Sequence, residues 1–163
     1  MTEQHVTKDL QNKTLTVERT FKAPRSRVWR AWTDSNELDK WWGPRQWPTK
    51  TKSFDFREGG SWHYYMTGPD GTESWGLLEY VSITPEEGFD AVDNFTDESG
   101  IKNEAMPHTK WQLAFEDNGG TTKMTSVSIF TNEADMQRII DMGFEAGFTE
   151  QLDKFDEYLE ADN

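Results

Sequence analysis

No cysteine occurs among the 163 residues. Disulfide frameworks, thiolate metal sites and cysteine nucleophiles are therefore excluded. Long apolar runs are missing too: the mean hydropathy is −0.89, and no stretch approaches the roughly 18–20 residues of a membrane helix. No membrane span is expected. Met1 to Lys13 holds no apolar stretch, so no signal peptide is expected and the expected location is cytoplasmic. Basic charge is scarce. Against 30 Asp and Glu stand 17 Lys and Arg, a net charge of −13. Such a chain repels phosphate backbones, so nucleic acid is not an expected partner. Histidine is limited to His5, His63 and His108, with no second histidine two or four residues on. No metal site and no cofactor are expected on that basis. Phosphate-cradling glycine loops, Gly-x-Ser-x-Gly elbows and dinucleotide fingerprints are also missing, so no catalytic motif is legible.

Aromatic residues are plentiful instead. Eight Trp, ten Phe and four Tyr outnumber the 19 Leu, Ile and Val. Each aromatic buries about 150–250 Å², so few side chains can build a core. The same side chains can line a pocket, and composition leaves both readings open. Charge is uneven along the chain. Residues 1–57 carry a net +5 and residues 58–163 a net −18. This fits a soluble surface with a charged C-terminal helix, an attraction between the two parts within the fold, or an acidic face that meets a basic protein partner.

The pattern along the chain predicts an α+β domain. Residues 1–12 read as a flexible polar tail, and residues 13–163 as a single domain. Leu15, Val17 and Phe21 share one phase of a first strand. Pro24, Val28, Trp29 and Trp32 mark a short helix. Asp34 with Glu37 reads as a capping box opening a second one, which ends at Gly43-Pro44. A strand series follows from Thr49 to Phe130, with short turns such as Pro69-Asp70-Gly71, so the sheet is expected to be antiparallel. Asn132 caps a long final helix with a continuous apolar stripe through Met136, Ile140, Phe144, Phe148, Leu152, Phe155 and Leu159. Gly143 and Gly147 interrupt it, marking a kink, a close approach or space for a guest. An antiparallel sheet with one wet face must cover the other, and the stripe is the obvious cover.

Several of these pieces together resemble a known family. They are Ala23-Pro24 with Val28-Trp29, Trp41-Trp42-Gly43-Pro44, Gly59-Gly60 followed by Pro69-Asp70-Gly71, and Trp75-Gly76 before Pro85-Glu86. Phe95 to Gly100 and Met142 to Phe148 complete the set. In this order the chain resembles single-domain relatives of the C-terminal domain of the activator of heat-shock-protein-90 ATPase. These belong to the SRPBCC, or START-like, superfamily, which includes the birch-pollen allergen. The resemblance implies a helix-grip fold: a curved antiparallel sheet of about six to seven strands around the long helix, with two short helices after strand one. It also implies a small hydrophobic ligand between sheet and helix. Some superfamily members are cyclases or hydroxylase components, and the co-chaperone link makes a chaperone-linked interaction protein a third reading. The co-chaperone's additional N-terminal domain has no expected counterpart, since about a dozen residues precede the first strand.

Candidate ligand-binding residues are Trp41, Trp62, Tyr64, Trp75, Phe95, Trp111, Phe144, Gly147, Phe148 and Leu152. Asp55, His63, Tyr65, Glu79 and Asp93 are strand polar residues that could face a cavity, the alternatives being a structural His63 and a Glu79 at a strand end or paired with an arginine. Glu79 shares its phase with Trp75, Leu77, Val81 and Ile83. If that phase points inward, Glu79 is a carboxylate in an apolar wall, and with His63 the candidate acid/base pair of a cyclase or isomerase. Of Trp41 and Trp42, one is expected to plug the core and the other to sit at a pocket mouth. Arg25, Arg27 and Arg30 are expected to meet acidic residues among Asp153, Asp156, Glu157, Glu160 and Asp162 in ion pairs.

Overall fold

A computed structural model describes residues 4–161. The strands are β1 (Gln4–Asp9), β2 (Thr14–Phe21), β3 (Thr49–Phe54), β4 (Ser61–Thr67), β5 (Glu73–Thr84), β6 (Gly88–Thr96), β7 (Thr109–Asp117) and β8 (Thr122–Ile129). They form one antiparallel sheet in the order β1-β2-β8-β7-β6-β5-β4-β3. Helices α1 (Arg25–Trp32) and α2 (Ser35–Trp41) separate β2 from β3. Helices α3 (Glu133–Asp141) and α4 (Phe144–Ala161) follow the last strand. The expected helix-grip architecture is present.

Three differences from the sequence reading have physical causes. The expected tail contains β1, which pairs with β2 from Gln4↔Arg19 to Asp9↔Thr14. None of its residues is fully buried, and Val6 is its one apolar side chain against the core, so it shows no apolar alternation. A turn makes it: Lys13 takes φ +59, and the Asp9 carboxylate accepts from the Asn12 N–H. This strand brings the total to eight. The long final helix is two, because Gly143 takes φ +87 between them, a conformation that costs glycine little. The apolar stripe runs on across the break, with Met136 and Ile139 buried on α3 and Leu152, Phe155 and Leu159 on α4. Finally, Asp34 caps α2 by accepting from the Asn36 N–H, but Glu37 does not complete a capping box. It accepts from Arg27 Nη1 at 2.7 Å, Arg30 Nε at 3.1 Å and the Tyr158 hydroxyl at 2.8 Å. Burial pushes the Glu37 carboxyl up, yet the bonds from Tyr158 and Arg27 outweigh this and hold it below the usual range.

The charge asymmetry is used inside the molecule. Lys8 meets Glu145 at 2.7 Å, Arg19 meets Asp153 at 2.7 Å and also Asp156, and Arg45 pairs with Glu157. The basic N-terminal part thus clamps the acidic final helix through Lys8, Arg19 and Arg45, whereas Arg27 and Arg30, expected to do so, form ion pairs with Glu37 of α2, and Asp162 lies outside the described residues.

The space between sheet and helices is filled unequally. Toward α1 and α2 it is solid. Trp32, Trp41, Phe21 and Phe155 are fully buried there. Ring centroids lie 4.7 Å apart for Trp32–Trp41, 4.3 Å for Trp41–Phe155 and 4.9 Å for Phe21–Phe155. Toward the first turns of α4 it is hollow.

Candidate functional site

The hollow end is a cavity of about 290 Å³. Its sheet wall follows from strand period. Tyr64 and Met66 on β4, Gly76 and Leu78 on β5, Asp93 and Phe95 on β6, and Thr109 and Trp111 on β7 all border it. Its roof is Ile139 of α3, Met142 just after it, and Phe144, Gly147, Phe148 and Gln151 of α4. Trp42 and Pro44 close the side nearest α2. Gly76 creates room for one wall. It pairs across strands with Tyr64, and a Cβ there would lie 2.8 Å from the Tyr64 ring.

Seven of the ten ligand-binding candidates border the cavity: Tyr64, Trp75, Phe95, Trp111, Phe144, Gly147 and Phe148. The Trp75 ring nevertheless stacks on Tyr65 at 4.4 Å on the outer face of the sheet. The other three are core. Leu152 is fully buried beneath α4. Trp62 is fully buried, stacks on Tyr64 at 4.2 Å, and donates to Thr51 Oγ1. Trp41 is fully buried and donates to the Ala31 carbonyl. The tryptophan that faces the cavity is Trp42. Trp41 is the last residue of α2, whereas Trp42 has left the helix at φ −70, ψ 147, which turns its side chain off the helix's packed face.

The acid/base candidates are not in the cavity. The inward phase of β5 is Gly76, Leu78 and Tyr80, all buried. Glu79 therefore faces outward, where it pairs with Lys102 at 2.8 Å and accepts from Asn94 Nδ2 at 3.0 Å. His63 is buried on the same outer face, 3.1 Å from Thr96 Oγ1 and under Trp75. The apolar look of the Glu79 phase comes from Trp75, Leu77 and Val81 on the outer face, and Val81 is 59% exposed.

The carboxylate that does enter the cavity is Asp93. It shares its phase with Phe89 and Ala91, both buried, and with Phe95. That period-two signal was present in the sequence. It pairs across strands with Leu78 and Thr109. Asp93 borders the cavity and remains exposed, although protein atoms crowd its carboxyl. Burial pushes its pKa up to about 7, only partly opposed by the Asn94 backbone N–H. Tyr64 is held neutral: burial and the nearby Asp93 charge push its hydroxyl far above the usual tyrosine value, against a bond from Trp42. Gln151, 5% exposed, accepts from the Gly43 N–H at 2.8 Å. Its Nε2 has no partner among the described residues. No group of three or more His, Asp or Glu positioned to hold a metal occurs among the described residues.

An acid with a raised folded pKa destabilises the fold where the unfolded chain would be ionised. For Asp93 that penalty is absent below the ordinary value of 3.8, grows as pH rises, and is complete above about 7. Asp93→Asn removes it. The variant is expected to be more stable than wild type by about 1–2 kcal/mol near pH 8, with cavity solvent screening the rest. The gain should shrink steadily toward pH 5. Urea unfolding at both pH values checks this, and an equal gain at each would refute it.

The family model described as Activator of Hsp90 ATPase homolog 1-like protein matches residues 22–160. No curated protein matches the chain. Among solved structures, a protein of Arthrobacter aurescens determined in solution is 34% identical, with a TM-score of 0.91 over 96% of this chain and 91% of that one. A crystal structure from Mycobacterium smegmatis is 31% identical, with a TM-score of 0.89 over 98% of this chain and 97% of that one. A Staphylococcus epidermidis protein is 28% identical, with a TM-score of 0.84 over 97% and 94%.

Proposed function

The chain belongs to the Activator of Hsp90 ATPase homolog 1-like family, and from that premise we propose that it binds a small, mainly apolar ligand in the cavity beneath α4. One observation carries this reading. The domain has enough aromatic side chains to pack one end of its interior solid, yet the other end is an aromatic-walled space of about 290 Å³. Small-molecule sites run from roughly 300 to 1,000 Å³ and are lined mainly by apolar side chains with a few polar groups. This volume stands at the lower limit and suits a ligand of one or two rings. Polar residues are a minority of the lining, and Asp93, Tyr64 and Gln151 among them come from different elements, as orientation of a ligand requires.

Gly147 offers the test. It is helical, borders the cavity, and a Cβ there would meet only Pro44, at an ordinary 3.5 Å. Gly147→Leu is expected to keep the fold, with a cost of at most about 1–3 kcal/mol from overpacking. It should also abolish binding of an apolar fluorescent probe that wild type takes up. Probe binding unchanged by the substitution would place the site elsewhere. Wild type that takes up no probe would overturn the reading.

A further inference from the structure

The residues bordering the cavity include no Lys, Arg or His, and their one charged side chain is Asp93. No ion pair to Asp93 occurs among the described residues. Its cross-strand neighbours are the uncharged Leu78 and Thr109, and the nearby Tyr64 is uncharged too. Around it stand the rings of Trp42, Trp111, Phe95, Phe144 and Phe148. Phe144 and Phe148 stack at 5.3 Å across the roof. An apolar ligand without charge leaves the carboxylate unpaired in that space. An anion adds a second negative charge, inside a protein whose net charge is already −13.

We propose that the cavity is selective for small aromatic or alicyclic amines, with the ligand's ammonium group on the Asp93 carboxylate and its ring against the surrounding aromatic walls. This rests on the binding reading above and names the ligand class. A carboxylate supplies a charge-assisted hydrogen bond to the ammonium group. Aromatic faces attract the same cation through their quadrupoles, and the attraction strengthens where water is excluded. Apolar burial of the ring then supplies the rest of the affinity. An ammonium also compensates a cavity carboxylate that has no ion pair among the described residues, so binding favours ionised Asp93. Burial raises the proton affinity of Asp93, and a cation at the carboxylate opposes that rise. Fatty acids and other carboxylates are selected against by the same geometry.

The experiment compares three probes of nearly equal shape on the full chain by isothermal titration calorimetry: 1-naphthylmethylammonium, 1-naphthalenemethanol and 1-naphthoate. Near pH 8, where the amine probe and Asp93 are both ionised, the ammonium is expected to bind at least about tenfold tighter than the alcohol. The naphthoate should bind most weakly. In Asp93→Asn the difference between ammonium and alcohol should collapse to within about threefold, with alcohol affinity retained. Equal binding of ammonium and alcohol by wild type would overturn the amine assignment while leaving the cavity as a binding site. So would tightest binding of the naphthoate, or a preference that survives Asp93→Asn. Failure of all three probes to bind would overturn the cavity-binding reading itself.

Discussion

Trp41→Ala is expected to destabilise the protein by about 3–5 kcal/mol, the range for removing a large aromatic from a packed core. Trp41 is fully buried, lies within ring contact of Trp32, Trp42 and Phe155, and donates to the Ala31 carbonyl. Alanine removes all of these at the junction of α1, α2 and α4. For a chain of this length, roughly 2–4 °C of Tm is lost per kcal/mol, so Tm should fall by about 10 °C. The neighbouring substitution is expected to behave differently. Trp42 is half-buried and borders the cavity. Trp42→Ala should cost about 1–3 kcal/mol and enlarge the cavity, so that probe binding changes more than stability does. Chemical denaturation with probe titration of both variants separates the roles. Equal destabilisation by the two substitutions would contradict the placement of Trp41 in the core and Trp42 at the wall.

Arg19→Met is expected to lose about 3 kcal/mol, since breaking a buried ion pair leaves uncompensated charge. Arg19 is 5% exposed on the inward phase of β2. It donates to Gln4 Oε1 at 2.8 Å and pairs with Asp153 and Asp156 of α4. Methionine keeps much of the stem volume, so the loss reports charge and hydrogen bonding more than packing. It also leaves two aspartates three residues apart on one helix face, where like charges repel. Because Arg19 is shielded from solvent, the loss should persist in high salt. Arg45→Ala, which removes the exposed pair with Glu157, should be nearly neutral and salt-sensitive. Urea midpoints at low and high salt distinguish the two. A loss for Arg19→Met that vanishes in high salt would show that the pair is solvated.

The order of elements was legible wherever one face of an element is buried, because burial imposes a period. Strict alternation in β2 and β8 and the stripe of α3 and α4 are such cases. Strand β1 has no fully buried residue and is specified by a turn and a partner strand, so it leaves no apolar period to read. The break at Gly143 is a backbone event. A glycine permits it, but the packing of α3 and α4 selects it. The site was legible in part for the same reason. Phe95, Trp111, Phe144 and Phe148 lie on inward phases. Glu79 was misplaced because the outer face of β5 is itself apolar, so the two phases could not be ranked by hydrophobicity alone.

By itself the sequence determined the class of fold, the aromatic character of the interior and the opposition of a basic N-terminal part to an acidic helix. These are properties of periodicity, composition and charge, which reside in the chain. The tertiary structure alone decided which aromatics fill the interior and which surround a space. Trp41 and Trp42 are adjacent and chemically identical, and the end of α2 sends one into the core and the other to the wall. It also decided that Asp93 has no counter-charge among the described residues. That depends on which residues β4, β5, β7 and α4 bring around it, and the period of β6 carries no information about its neighbours. A cavity is volume left over when every element has docked, so no local stretch of sequence encodes it.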